Sequence, residues 1–219
     1  MKSYIEKFKK MVDELKQNPK IKITKQNPNG YQTKTPFIIN PPATNEEIQL
    51  AEKYLKRKIP KDILDFYKEA NGLQLSWELK ERYQDKFDSD TIEGHILILP
   101  IQEVFKDWKD IIYFDFEGGE TFKLLHPIDF FVAEACAALY LDDSDNPGVY
   151  YHYLGEGMYT LNMTFKEYLN ALLKTRGFWY WQTAVVAELT GEEDIEEPED
   201  FRNSMPLLFP DFKLSEILK

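Results

Sequence analysis

Residues 41–79 read PPATNEEIQLAEKYLKRKIPKDILDFYKEANGLQLSWEL, and this stretch decides the fold. Thr44 or Asn45 is placed to cap a first helix, because a side-chain oxygen there accepts from first-turn amides that lack a partner. Glu46 and Glu47 then suit the positive end of that helix. Ile48, Ala51, Glu52 and Leu55 recur at helical spacing and draw one stripe along it. Pro60 stands where a first helical turn tolerates a missing N–H, and Ile63, Leu64, Phe66 and Tyr67 supply the second helix's apolar face. Asn71-Gly72 is expected to stop that helix, since a left-handed residue is least costly as Gly or Asn. Leu73, Leu75 and Trp77 alternate as a half-buried strand does. None of these residues is a chemical group laid out for catalysis.

Outward from this block, residues 2–16 read as an amphipathic helix carrying Tyr4, Ile5, Phe8, Met11, Val12 and Leu15 among lysines, a stripe suited to packing on the domain. Residues 17–42 resist a long element, with a short strand expected at 21–24. A polar loop is expected at 80–91, a buried strand at 95–99 stopped by Pro100, and a short helix at 102–109. Strands are then expected at 111–116, 120–125, 133–141 and 149–154, separated by Gly118-Gly119, Pro127 and Pro147-Gly148. Such close spacing favours antiparallel pairing, because a parallel crossover needs a dozen or more residues. Thr164, with Glu167 three residues on, opens a further helix as a capping box, and Gly177 closes it. Residues 178–189 continue as a helix with aromatic anchors, 190–204 read as an acidic linker, and 207–218 as a tail that docks back. Helices grouped around an antiparallel sheet make the fold class α+β.

Composition sets the outer bounds. The chain has 219 residues, 43% hydrophobic and 15% aromatic, enough for one large ordered domain with a substantial core. No apolar run reaches bilayer length, and the start of the sequence lacks an apolar leader. The single cysteine, Cys136, sits in the apolar run AEACAALYL and reads as a buried thiol in a reducing cytoplasm. Net charge is −11, spread unevenly: residues 1–35 balance to +6 and the remainder to −17. An acidic body repels nucleic-acid phosphate and steers basic protein partners toward it. The basic head reads as a solvated helix face, with neither membrane nor nucleic acid as its partner.

Catalytic patterns are weighed and set aside. His95, His126 and His152 show none of the short spacings that metal ligands use, so no metal or cofactor is expected. A calcium loop begun at Asp143 would need a Glu where Leu154 stands and has Pro147 at its fifth position. The glycine pairs at 118–119 and 155–157 are flanked by carboxylates that would repel phosphate, and they read as hairpin turns. No nucleophile elbow is present. The run Phe178-Trp179-Tyr180-Trp181 reads first as a lock between a terminal helix and the sheet, and second as a partner anchor.

The order of parts resembles the SUKH superfamily, whose eukaryotic branch is named for the Smi and Knr cell-wall assembly regulators. The resemblance rests on Pro42 with Glu46-Glu47-Ile48 and Glu52, Ile59-Pro60 with Phe66-Tyr67, and Asn71-Gly72-Leu73 with Trp77. It continues through Gly94 with Ile98-Leu99-Pro100, residues 138–142, Val149-Tyr150-Tyr151, and Thr164-Phe165 with Tyr168-Leu169 and Leu172-Leu173. It covers roughly 41–177, leaving 1–40 as a basic helical extension and 178–219 as a C-terminal helix, linker and tail. The resemblance implies a noncatalytic binding domain, and for bacterial members an immunity protein that neutralises a cognate toxin, frequently a nuclease. The alternative is a regulatory scaffold that recruits other cytoplasmic proteins. For a basic protein partner, the expected contact residues are Glu117, Glu120, Asp142, Asp143 and Asp145, carboxylates on turns beside the sheet.

Overall fold

A computed structural model of the chain describes residues 3–25, 35–87, 89, 91–116, 118–142, 144–191 and 199–218. Ser3 caps α1 (Tyr4–Gln17), and Thr44 caps α2 (Asn45–Leu55) in a full capping box with Glu47. Pro60 precedes α3 (Lys61–Tyr67), as its ring allows. The strands are β1 (Ile21–Ile23), β2 (Phe37–Ile39), β3 (Leu73–Leu79), β4 (Glu93–Ile98), β5 (Leu125–Asp129), β6 (Ala135–Tyr140), β7 (Gly148–Tyr153) and β8 (Gly157–Thr164). The remaining helices are α4 (Ile101–Val104), α5 (Phe165–Thr175), α6 (Trp181–Thr190) and α7 (Glu199–Leu208).

All strand pairs are antiparallel, in the order β1-β3-β4-β5-β6-β7-β8. β2 joins the edge of β3 that β1 also uses: β1 faces Trp77–Leu79 and β2 faces Leu73–Leu75. Helices around one antiparallel sheet give the α+β class. The main core gathers the inward positions of β3 (Leu73, Leu75, Trp77, Leu79) with Phe8, Val12 and Leu15 of α1, Phe66 of α3, Leu169 and Leu172 of α5, and Val185 of α6. The terminal segments share this core, since Phe201, Met205, Phe209 and Ile217 are buried in it. A second, smaller core of Trp108, Ile112, Leu125, Cys136 and Ala138 holds Phe122 and Met158 against its rim.

Several expectations are corrected. Residues 111–116 are not a strand: they turn, with one isolated bridge between Lys109 and Tyr113 and a left-handed Asp110 (φ 64°). Residues 119–122 form a 3-10 turn, and the strand begins only at Leu125. The apolar alternation of this segment serves the second core instead of a ladder. The helix expected at 102–109 closes after Val104. Two strands escaped notice, β2 because it is three residues long and β8 because it carries few aliphatic side chains. Of the expected acidic linker, 192–198 lie outside the described residues and 199–204 are helical.

Asn71-Gly72 does not end α3, which finishes at Tyr67. Gly72 (φ 91°) instead starts β3, and a Cβ there would meet the Ile98 carbonyl oxygen at 2.5 Å. The Asn71 side chain caps the next helix at long range: its Oδ1 accepts from the Ile101 amide at 2.7 Å and its amide donates to Gln102 at 3.2 Å. The motif thus pins α4 to the start of β3, where the chain leaves the sheet for residues 105–124.

Candidate interaction surface

The described residues of 105–124 have no sheet partner, so their position depends on side chains beneath them. Trp108 is buried, donates its indole N–H to the Val104 carbonyl at 3.0 Å and lies 5.6 Å from the Phe130 ring. Phe122 sits on the His152 imidazole, ring centroids 4.6 Å apart. The Asp107 carboxylate accepts from the Tyr113 hydroxyl at 2.6 Å and the Lys109 amide at 3.0 Å. The Tyr113 bond holds the Asp107 carboxyl below its ordinary range, and the same bond pushes the Tyr113 phenol up to about 12. The segment is therefore a fixed ridge.

Its outer side is apolar and acidic together. Ile111, Phe116 and Leu124 are 47%, 64% and 41% exposed, which is unusual for three large apolar side chains on one short segment. Five carboxylates and three lysines share residues 105–124. Lys109 pairs with Asp115, and Lys123 pairs with Glu120 at 3.0 Å.

Glu120 is exposed on the 3-10 turn of this ridge. Asp142 and Asp145 are exposed on the β6–β7 turn, where the Asp142 carboxylate accepts from the Ser144 amide at 2.8 Å and the Ser144 hydroxyl from the Asn146 amide at 3.1 Å. The Leu141 amide donates to the Leu124 carbonyl at 2.8 Å, which ties that turn to the end of the ridge. Three of the five expected carboxylates, Glu120, Asp142 and Asp145, thus lie on these two turns. Glu117 and Asp143 lie outside the described residues. The exposed apolar side chains of this segment were not foreseen; their signal was the run IIYFDFEGGE, too apolar for a loop and too broken by Asp and Gly for a strand.

The histidines do not converge. Burial lowers the His126 pKa, and its Nδ1 faces the Val104 carbonyl at 3.0 Å. The His95 Nδ1 lies 2.9 Å from the Ser76 hydroxyl, and its Nε2 lies 3.4 Å from Glu93. These are a triad's residue types, but Ser76 is 1% exposed in mid-strand and directly opposite His95 in register, so the contact serves strand pairing. No group of three or more His, Cys, Asp or Glu side chains is arranged to hold a metal among the described residues. Phe178 and Trp181 are buried and Trp179 and Tyr180 half-buried, so this cluster works as the lock between helix and sheet. No described helix is long and apolar enough to cross a membrane.

No curated protein matches the chain. A protein-family model, SMI1 / KNR4 family (SUKH-1), matches residues 42–171, from the proline pair before α2 into the second turn of α5. That match takes in both helices of the opening block, the strand after Asn71-Gly72, the ridge and the capping box of α5, and the chain belongs to the SMI1/KNR4 (SUKH-1) family.

Proposed function

We propose that this chain is a noncatalytic cytoplasmic module that binds a basic protein, and that as an immunity protein it neutralises a cognate toxin, a nuclease being the expected kind, by forming a one-to-one complex. The observation that carries this reading is the ridge: Phe116, Ile111 and Leu124 are exposed on the segment that carries Asp115 and Glu120, and its end at Leu124 is tied to the turn that carries Asp142 and Asp145. An apolar centre with a charged rim is the anatomy of a protein interface, in which the centre supplies affinity and the rim supplies steering. Family membership supports the reading, and so does the net charge of −11, which raises the encounter rate with a positively charged partner.

The partner is sought first as the product of a neighbouring gene, by co-purification. With it in hand, Glu120→Lys, Asp142→Lys and Asp145→Lys combined are expected to raise Kd by about tenfold or more, equal to about 1.4 kcal/mol. Most of that loss falls on the association rate and fades at high salt. Phe116→Ser is expected to act on the dissociation rate instead. Unchanged affinity in both variants removes the ridge from the interface.

A further inference from the structure

A second set of chemically distinctive side chains lies under the ridge. Cys136 of β6, His152 of β7 and Met158 of β8 are register partners, Cys136 opposite His152 and His152 opposite Met158. Directly opposed residues on adjacent strands project to the same face with Cβ atoms about 5 Å apart, so a thiol, an imidazole and a thioether form one row across three strands. Cys136 and His152 are both 0% exposed, and Met158 is half-buried at the rim of the second core.

The imidazole is the informative member. Its Nδ1 lies 2.7 Å from the Gly157 carbonyl oxygen, an acceptor, so Nδ1 carries the proton and Nε2 carries a bare lone pair. That Nε2 is buried and has no hydrogen-bond partner among the described residues. A ring fixed by an Nδ1–H bond to a backbone carbonyl, with the other nitrogen free, is how proteins orient a histidine for a metal.

We propose that Cys136, His152 and Met158 bind one cuprous ion. Soft sulfur donors with an imidazole select Cu(I) among biological cations, and Cu(I) accepts two or three ligands where structural zinc asks for four. Charge argues the same way. Binding exchanges the thiol proton of Cys136 for a monovalent cation, the proton leaving to water and no electron moving, so the row stays neutral. A divalent ion would leave a positive charge among Trp108, Ile112, Leu125 and Ala138, which offer nothing to balance it. This inference stands apart from the toxin reading.

The test uses the full chain, reduced and anaerobic, titrated with Cu(I) against a chromogenic bicinchoninate competitor. The wild type is expected to withdraw one equivalent from the chelator, with His152→Phe and Cys136→Ser each weakening retention by about tenfold or more. Phenylalanine suits the place of His152 because another aromatic ring fits beside Phe122 and needs no hydrogen bond. Should either variant fail to fold, the wild type decides alone: one equivalent of Cu(I) raises its melting temperature if the site exists. An unmoved melting temperature, or equal copper retention by folded variants, overturns the proposal.

Discussion

Asp129 shows how much one residue can carry. The sheet nearly parts between β4 and β5, which share a single register pair, Ile98 with Asp129. The Asp129 carboxyl spans the gap: it accepts from the Leu97 amide at 2.7 Å and from the Tyr168 hydroxyl of α5 at 2.8 Å. The same hydroxyl accepts from Gln182 of α6 at 3.2 Å. Asp129 is 0% exposed and makes no ion pair among the described residues; burial, the largest cause, outweighs its hydrogen bonds and the pull of His95 and raises its pKa to about 6. A carboxyl with a raised folded-state pKa is stabilising while protonated, so its contribution is full below about pH 4 and is lost as pH climbs through 6. The loss is on the order of 3 kcal/mol. Asp129→Asn keeps an acceptor for Leu97 and offers Tyr168 a donor without the charge. Urea unfolding is expected to show the variant gaining on the wild type between pH 4 and 7, and parallel curves would refute the assignment. The sequence points to neither this role nor the long-range cap by Asn71, because both depend on which strands are neighbours.

At the scale of elements, local chemistry was the reliable guide. The Thr164–Glu167 capping box is formed as read, each partner bonding the other's backbone amide. Thr164→Ala is expected to remove about 1 kcal/mol, read by calorimetry as a fall in melting temperature of about 2–4 °C. α2, α3 and β3 stand where periodicity placed them, because each buries a stripe that its own spacing defines. Periodicity misled where an apolar segment had no ladder to join. Ile112 and Tyr113 are buried as strand residues would be, yet Ile112 meets side chains of a second core and Tyr113 bonds the Asp107 carboxylate. The exposed members of that segment, Ile111 and Phe116, are legible as a surface only once the buried ones are known. Of the acidic residues singled out, Glu120, Asp142 and Asp145 are exposed on turns as their polar, glycine- and proline-flanked context implied.

For the whole molecule, the two ends are one assembly. The Asn18 side chain donates to the Leu208 carbonyl at 2.9 Å and Lys20 to the Leu207 carbonyl at 2.6 Å. The Arg176 guanidinium lies 4.0 Å from the centre of the Phe209 ring and pairs with Glu14 of α1 at 3.5 Å. Trp77, in the middle of β3, packs edge-on against both Phe178 and Phe209. Gly94 makes room for that indole, since a Cβ there would lie 2.3 Å from its nitrogen. Ending the chain after residue 190 removes the buried side chains of Phe201, Met205, Leu208, Phe209 and Ile217. Large apolar side chains deleted from a core cost about 2–5 kcal/mol each, so the shortened protein is expected to lose cooperative melting. A sharp transition within about 5 °C of the full chain would show the C-terminal segment to be dispensable.

The tandem placement of β1 and β2 has a consequence for any shorter relative. Together they satisfy one flank of the seven-residue strand Leu73–Leu79, and both precede the family-matched stretch that starts at 42. A protein trimmed to that stretch would carry a bare hydrogen-bonding rim, open to any passing extended peptide or to a second molecule of itself. The first forty residues are in this sense a tethered plug, whose removal would turn a self-contained sheet into a template for stacking.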